Sequence, residues 1–252
     1  MLKDTKIRSP WVAPFPESRA PDRVVLFCVP YAGGGASVFR QWQDMLPEHI
    51  QLCRLQLPGR ENRVRETART DLPSLIKECV TAILPCLENA EFAFYGHSMG
   101  TRVILEMARE IRRRTGREPS HLFFAACNPP HLPEPPPAHV LPDEDFMKVL
   151  RNLGGTPQEV LDDTELMNLF LPLLRADYAL KERYSYYEEA PFSCAVTALS
   201  GRSDPETTRE AMEEWRAYGA LFSHVIFDGG HFFLRSHQGE LLQHIGESLR
   251  RH

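Results

Sequence analysis

The chain has 252 residues, enough for one large domain, and its 42% hydrophobic and 25% charged residues are proportions of an ordinary globular protein. The formal net charge of -5 provides no basic field for nucleic acid, and no run of about 18 apolar residues could span a membrane. The N-terminal residues lack the apolar core of a signal peptide, and the six scattered cysteines form no Cys-x-x-Cys pair, so we expect a cytoplasmic protein with buried, reduced thiols and no metal site.

Continuous apolar runs alternate along the chain with segments of helical periodicity. The apolar runs predict strands at residues 23–29, 50–57, 92–95, 122–127, 194–200 and 224–227. The periodic segments predict helices at residues 37–45, 72–83, 101–114 and 234–249, the second of them capped by Asp71. Strands that alternate with helices predict a single α/β domain over residues 1–252, with a mostly parallel sheet covered on both faces.

One long segment, residues 133–190, interrupts this alternation without a convincing strand. It begins with a stiff connector of four prolines (Pro133, Pro135, Pro136 and Pro137). Two helical patterns follow, the first ended by Gly154-Gly155 and the second bent by Pro172. Their apolar faces are predicted to comprise Phe146, Val149, Leu150 and Leu153 in the first, and Leu166, Leu169, Phe170, Leu173 and Leu174 in the second. We expect a helical lid whose apolar underside binds an acyl chain through Phe146, Leu150, Phe170 and Leu174; the alternative is a helical subdomain with its own core.

The segment Gly96-His97-Ser98-Met99-Gly100 lies between a predicted strand and a predicted helix. In that context Gly-x-Ser-x-Gly is typical of the nucleophile elbow of α/β-hydrolases. The flanking glycines avoid a clash that a Cβ would cause, and the tight turn exposes the serine oxygen to a base and a substrate carbonyl. We therefore predict that Ser98 is a catalytic nucleophile; the alternative is an ordinary strand–helix turn.

A serine nucleophile needs a base and an acid, which follow it along the chain in this fold. His231 comes after the last predicted strand and a Gly-Gly turn, so it belongs to a loop at the carboxyl end of the sheet and is the predicted base. The histidines with simpler structural explanations are His224, His237 and His244, and we expect His97 to project elsewhere from the elbow.

The predicted acid is Asp204, in a loop that ends the strand at residues 194–199. An aspartate before proline is also a common turn signal, which is its alternative role. Asp228 is a rival for the acid, but it lies only three residues before His231, which makes an Asp–His hydrogen bond across the site harder.

An oxyanion hole needs two preorganised backbone N–H groups. We predict one from Met99, the residue after the nucleophile, and the other from Ala32, in the loop after the first strand. Three glycines follow Ala32 and allow the backbone to come close to a substrate. A phosphate site is the alternative for such a loop, but neither a P-loop nor a Gly-x-Gly-x-x-Gly motif is present.

Five segments taken together make the chain resemble the type II thioesterases that serve nonribosomal peptide and polyketide assembly lines. They are residues 27–34 (FCVPYAGG), 55–60 (LQLPGR), 95–100 (YGHSMG), 200–204 (SGRSD) and 229–234 (GGHFFL). Each segment is weak alone, but the set in this order is specific and spreads over nearly the whole chain. The resemblance implies an α/β-hydrolase fold and the same site residues as those predicted above.

The resemblance also implies the reaction, which is hydrolysis of an acyl thioester on the phosphopantetheine arm of an acyl or peptidyl carrier protein. Such chemistry uses no metal and no cofactor. Two positions depart from the usual family pattern: Tyr31 stands where His is frequent, and Glu61 stands where Gly is frequent. Both departures concern specificity, and we expect Tyr31 to contact the substrate.

Carrier proteins are usually acidic, so a basic cluster near the end of one predicted helix is a candidate docking surface. The cluster comprises Arg109, Arg112, Arg113, Arg114 and Arg117. The simpler interpretation, which we favour, is a solvated helix end whose cations interact with the helix dipole. Two other functions stay open on the same scaffold: a free-standing acyl-CoA hydrolase or carboxylesterase, and a binding module without turnover. We expect a monomer.

Overall fold

A computed structural model describes residues 9–13, 23–87, 90–156 and 158–250. Within this part of the chain the strands are β1 (Val24–Val29), β2 (Ile50–Arg54), β3 (Glu91–His97), β4 (His121–Ala125), β5 (Phe192–Gly201) and β6 (Gly219–Phe227). They form one sheet in the order β2-β1-β3-β4-β5-β6, and all of its strand pairings are parallel. The carboxyl ends of the strands therefore share one edge, where the loops that carry the predicted site residues meet.

Helices surround this sheet and fill the long connections between its strands. The α-helices are α1 (Trp42–Met45), α2 (Leu72–Leu87), α3 (Met99–Thr115), α4 (Asp143–Leu153), α5 (Gln158–Leu161), α6 (Thr164–Glu182), α7 (Arg209–Glu213), α8 (Phe233–Ser236) and α9 (Gln238–Ser248). Short 3-10 helices span Ala36–Phe39, Glu61–Arg63, Ala138–Val140 and Glu214–Tyr218. None of the helices described is long and apolar enough to cross a bilayer.

The alternating side chains of β1 show how both faces of the sheet become buried. All six residues of β1 are buried. Its odd-numbered residues join a hydrophobic cluster with α2 and α3, and its even-numbered residues join a second cluster with α1, α8 and α9. Successive side chains of a strand point to opposite faces, so the continuous apolar run of β1 matches a sheet covered on both sides.

Three helices, α4 to α6, lie between β4 and β5 and form a helical insertion with a hydrophobic cluster of its own. Residues 133–190 contain no strand where the structure describes them. The predicted apolar face of α6 belongs only partly to this cluster: Leu174 is in it, whereas Leu166, Leu169 and Phe170 are exposed, and Met167 and Leu171 on another side are buried in it. Both sets recur with helical spacing, so periodicity alone could not separate the core side of α6 from its other apolar side.

Several predicted elements differ from the observed ones at their boundaries. The predicted helix at residues 37–45 is a 3-10 turn followed by α1, which lets Phe39 and Trp42 pack edge to face with ring centroids 4.8 Å apart. The predicted helix at residues 234–249 is divided at His237 into α8 and α9. Strand β6 begins five residues earlier than predicted, because its first half lies partly exposed and lacks a continuous apolar run.

All six cysteines are buried and none forms a disulfide with another described residue. Burial raises the pKa of Cys79 and of Cys194 to about 12, and it raises the pKa of Cys28 and Cys53 well above the usual range. These thiols are therefore protonated and unreactive at neutral pH. Most of the proline-rich N-terminal lead lies outside the described residues.

Candidate active site

Ser98 lies in a strained turn between β3 and α3. Its backbone has φ 53° and ψ −118°, a conformation that a residue with a side chain rarely adopts. A Cβ at Gly96 would lie 2.4 Å from the carbonyl oxygen of Gly100, and a Cβ at Gly100 would lie 2.3 Å from that of Val29. Both glycines are thus required by close backbone approaches, which gives the predicted elbow its sharp geometry.

Asp204 and His231 are joined in a buried pair at the carboxyl edge of the sheet. Nδ1 of His231 lies 2.9 Å from both carboxylate oxygens of Asp204, which also accept hydrogen bonds from the N–H of Glu206 and the hydroxyl of Thr207. Burial acts to raise the pKa of Asp204, but the hydrogen bond and charge of His231 outweigh it and hold that pKa below its usual value. The carboxylate therefore stays ionised and fixes the orientation of the imidazole.

The second ring nitrogen of His231 is available to act as a base. Nε2 is buried and has no hydrogen-bond partner among the described residues. When Nδ1 carries the proton donated to Asp204, Nε2 presents a lone pair that can take a hydroxyl proton. No hydrogen bond joins Nε2 to the hydroxyl of Ser98 in this structure; such contacts often tighten only once substrate binds.

His97 contacts the backbone of His231, a role that the sequence did not indicate. Its Nε2 lies 2.8 Å from the carbonyl oxygen of His231, and its Nδ1 lies 3.1 Å from the hydroxyl of Tyr95. Burial, together with the charge of His231, lowers the pKa of His97 to about 3, so the ring is neutral. A neutral ring can accept from Tyr95 and donate to His231, and in this way the residue before Ser98 supports the loop that carries His231.

Ala32 and Met99, the predicted oxyanion donors, line the same cavity as Ser98. Neither backbone N–H group donates a hydrogen bond to any of the residues that the structure describes. The neighbouring N–H groups of the same loop are held by side chains: Gln56 accepts from Ala36 at 2.6 Å, and Glu61 accepts from Ser37 at 3.1 Å. The arrangement offers two free donors on a firmly held backbone.

An apolar cavity of about 810 Å³ opens next to Ser98, between the sheet edge and the helical insertion. Four of the predicted substrate-contacting residues line it: Tyr31, Leu150, Phe170 and Leu174. The fifth, Phe146, does not. It is fully buried on the core side of α4, with its ring 5.0 Å from that of Tyr178 and under the guanidinium of Arg175. The prediction for Phe146 is wrong because its position on α4 faces the cluster of the insertion rather than the cavity.

Comparison with known proteins decides the family. The model of the family described as "Thioesterase domain" matches residues 25–249. The chain belongs to the thioesterase domain family. It is therefore a hydrolase of acyl thioesters, and the predicted resemblance and fold class are confirmed.

Several relatives match the thioesterase along most of its length. Linear gramicidin dehydrogenase LgrE of Brevibacillus parabrevis is 45% identical over 240 residues, which cover 93% of this chain and 91% of that protein. The name of LgrE describes a dehydrogenase, whereas the family match and the similar solved structures are those of thioesterases. RedJ, a thioesterase from the prodiginine biosynthetic pathway in Streptomyces coelicolor, is 36% identical with a TM-score of 0.85 and covers 91% of both chains. BorB, a type II thioesterase from the borrelidin biosynthetic cluster, is 30% identical with a TM-score of 0.85 and covers 96% of this chain and 98% of that one.

The two positions of the thioesterase that depart from the usual pattern both lie beside the cavity. Glu61 has φ 46°, in the region that favours glycine, which is why a glycine is frequent there. Tyr31 packs edge to face on Phe232 with centroids 4.9 Å apart, and its hydroxyl accepts a hydrogen bond from Arg235. Tyr31 therefore forms part of the wall of the cavity, held by Phe232 and Arg235.

The rival acid and the arginine cluster have structural roles away from the site. Asp228 is exposed and pairs with Arg202, 3.0 Å away, whereas Asp204 is buried against His231. Arg112 and Arg113 both pair with Glu189, and Arg114 pairs with Glu110. The interpretation of the cluster as a solvated helix end is thus incomplete, because these cations are neutralised by nearby carboxylates that tie residues 184–190 to α3.

Proposed function

We propose that the thioesterase hydrolyses acyl thioesters held on the phosphopantetheine arm of a carrier protein and so frees stalled or wrongly loaded carriers. The observation that carries this proposal is the buried Asp204–His231 pair, whose histidine contacts His97 next to the strained Ser98, in a chain similar to RedJ and BorB. The names of those relatives place them in biosynthetic pathways for prodiginine and borrelidin, and we infer a pathway of the same kind for this chain.

In the first half of the reaction, His231 Nε2 takes the hydroxyl proton of Ser98 while the serine oxygen attacks the thioester carbonyl. The carbonyl oxygen becomes an oxyanion, which would accept hydrogen bonds from the N–H groups of Ala32 and Met99. Collapse of this tetrahedral intermediate breaks the carbon–sulfur bond, and His231 returns the proton to the departing thiol. Asp204 stabilises the imidazolium that forms between these two proton transfers.

Water completes the cycle by the same route. His231 takes a proton from water, which attacks the acyl-serine ester, and the second tetrahedral intermediate releases the free acid and regenerates the hydroxyl of Ser98. Side chains of this chain carry out each proton transfer, and its backbone N–H groups would stabilise each oxyanion. The apolar lining of the cavity, including Leu150, Phe170 and Leu174, would hold the acyl group, with the helical insertion acting as its lid.

The partner that this proposal requires is an acyl or peptidyl carrier protein. We further propose that the chain acts as a monomer in the cytoplasm, where such carriers are loaded; the reduced state of its six buried cysteines is consistent with that compartment.

The decisive experiment follows acyl-loaded carrier proteins by intact mass in the presence of the enzyme. The native protein is expected to return the free phosphopantetheine thiol, and Ser98→Ala is expected to leave the acyl carrier intact. The same acyl group is then presented as a carrier thioester, a CoA thioester and a simple ester. A kcat/KM that is highest for the carrier supports the proposal, and equal values on all three contradict it in favour of a free-standing hydrolase.

A further inference from the structure

The loop that follows β1, residues 30–36, is attached to helix α6 by one buried carboxylate. Oδ2 of Asp177 accepts a hydrogen bond from the N–H of Gly33 at 2.7 Å, although the two residues are 144 positions apart. The same carboxylate forms a two-point ion pair with the guanidinium of Arg60, with contacts of 2.8 and 2.7 Å. Asp177 is 0% exposed and Arg60 is 4% exposed, so the pair is shielded from solvent.

Arg60 extends this attachment to the next residue of the loop. Its Nη1 donates to the carbonyl oxygen of Gly34 at 3.1 Å, and its remaining donors contact the carbonyl oxygen of Pro58. The N–H of Gly34 in turn donates to the carbonyl oxygen of Tyr31 at 2.9 Å and closes a tight turn. The pair of Asp177 and Arg60 therefore holds both sides of this turn, through Gly33 N–H and Gly34 C=O.

This turn determines the direction of the N–H group predicted to bind the oxyanion. The carbonyl of Tyr31 and the N–H of Ala32 belong to one planar trans peptide, in which the two bonds point in opposite directions. Because Gly34 holds the carbonyl of Tyr31, the N–H of Ala32 is directed to the opposite side of the turn. Leu174, one turn before Asp177 on α6, packs so closely on Gly33 that a Cβ there would lie 2.7 Å from Leu174 Cδ2.

We propose that Asp177, together with Arg60, is a positioning residue of the oxyanion hole. The helical insertion thereby contributes to transition-state stabilisation, because one of its helices fixes the donor at Ala32. This inference rests on the proposed function, since it assigns to Ala32 the role of oxyanion donor. A merely structural ion pair would contribute to stability alone, so the test must separate folding from catalysis.

Two sets of variants make that separation. Asp177→Asn keeps the size of the side chain but weakens the hold on Arg60, and Arg60→Lys keeps the charge but loses the forked contact with Asp177 and Gly34. The double variant Arg60→Met/Asp177→Leu replaces the whole ion pair by apolar side chains, an exchange that buried pairs often tolerate without loss of stability. Glu106→Gln is the matched control, because Glu106 is a buried carboxylate paired with Arg109 on α3, away from the cavity lining.

Each variant is measured for Tm, for kcat and KM on an acyl carrier thioester, and for the inhibition constant of an alkyl boronic acid. The boronate forms a tetrahedral adduct on serine and so reports on the oxyanion hole in the way the transition state does. We expect kcat to fall about 10- to 100-fold in Asp177→Asn and in the double variant, which is less than the loss of a donor itself. The affinity for the boronate should fall by a similar factor while KM stays nearly constant. Arg60→Lys should show smaller losses of kcat and of boronate affinity than the other two variants.

Glu106→Gln should lower Tm without changing kcat or boronate affinity. The inference is overturned by a double variant that folds and keeps native kcat and boronate affinity, or by losses confined to KM. The proposed function fails separately if Ser98→Ala retains turnover. If Ser98→Ala is inactive and the Asp177 variants are fully active, only the role of Asp177 is rejected.

Discussion

At the residue scale, the proposed site depends on three side chains that follow three different strands at one edge of the sheet. The tight turn between β3 and α3 fixes the backbone of Ser98. Four hydrogen-bond contacts fix the carboxylate of Asp204, and contacts with Asp204 and His97 fix His231. Each of these contacts involves only a few atoms. Changes at single atoms should therefore affect activity far more than they affect the fold.

The role of the acid is tested by Asp204→Asn. The amide preserves shape but cannot stabilise an imidazolium and favours the wrong tautomer of His231, so kcat is expected to fall by about 10⁴-fold. Steady-state kinetics on an acyl carrier thioester measure the change. Asp228→Asn is the control, because that exposed carboxylate pairs with Arg202 and should leave kcat unchanged. Comparable losses in the two variants contradict the assignment.

The neutral state of His97 predicts how stability varies with pH. The folded protein keeps His97 unprotonated down to about pH 3, whereas the unfolded chain binds a proton near the usual pKa of about 6.5. The unfolded state therefore binds more protons in this window, and the free energy of unfolding falls as pH decreases, by up to about 1.4 kcal/mol per pH unit from this group.

His97→Gln removes that contribution. Urea unfolding at pH 7, 6 and 5 should show native stability falling more steeply than that of the variant, so that the difference between the two proteins narrows towards pH 5. Burial lowers the pKa of His121 to about 4, so in both proteins the free energy of unfolding still decreases somewhat as pH falls. Parallel curves for the two proteins contradict the assignment of a neutral His97.

The motifs that carry the proposed triad are visible in the sequence, but the contact of His97 with His231 is not. The elbow and the order of serine, acid and histidine are local signals that a single sequence displays. The contact of His97 with the backbone of His231 depends instead on the path of a loop 134 residues away. No pattern near residue 97 encodes that path.

At the element scale, the turn between β3 and α3 forces three backbone segments into contact. Gly100 approaches the carbonyl oxygens of Val29 and Pro30 at the end of β1, where residues 30–36, the proposed oxyanion loop, begin. The position of α3 relative to β1 is thus fixed by the absence of a side chain at one residue. The geometry of the elbow and that of the oxyanion loop are set by the same contact.

Gly100→Ala tests this contact. The new Cβ would lie 2.3 Å from the carbonyl oxygen of Val29, which is backbone and cannot rotate away, so we expect a loss of about 1–3 kcal/mol in the free energy of unfolding together with a loss of kcat. Gly239→Ala in α9 is the control, since nothing lies within 4 Å of its Cβ position and alanine favours helix. Chemical denaturation and kinetics of both variants provide the measurement, and a Gly100→Ala protein of native stability contradicts the argument.

Most of the strands and helices could be predicted from the sequence, and the errors in their boundaries and buried faces have one cause. Apolar runs located every strand, but β6 was predicted too short because its exposed half lacks such a run. Helix α6 was predicted together with the apolar side that lines the cavity, but its second apolar side, with Met167 and Leu171 in the cluster of the insertion, was not. Periodicity reports which residues avoid water in general, and it does not distinguish a core from the wall of a cavity.

At the scale of the whole molecule, long-range polar contacts connect parts that the sequence shows as separate. Asp177 joins the helical insertion to the loop after β1, and Glu189 joins the segment before β5 to the arginines of α3. The sequence favoured a solvated helix end for those arginines, because the pairing of a charge depends on the tertiary fold. The result is a negatively charged chain in which Arg112, Arg113 and Arg114 are paired with carboxylates.

This charge distribution predicts a weak dependence of catalysis on salt. Electrostatically steered association falls steeply as ionic strength rises, but a paired arginine cluster offers little attraction to an acidic carrier protein. We expect kcat/KM for an acyl carrier to change by less than about 3-fold between 50 and 500 mM salt. An acyl pantetheine thioester without a carrier serves as the control series. A 10-fold or larger decrease in kcat/KM for the acyl carrier, without such a decrease for the acyl pantetheine, contradicts the expectation and supports a basic docking surface.

The burial of all six native thiols makes the protein a convenient host for chemical probes. A cysteine introduced at an exposed site such as Leu166 on α6, which is not part of the cavity lining, would be the accessible thiol for a maleimide dye or a spin label. Paired with a second label on the sheet side of the molecule, it would report the distance between the insertion and the catalytic edge during turnover, without prior removal of any natural cysteine.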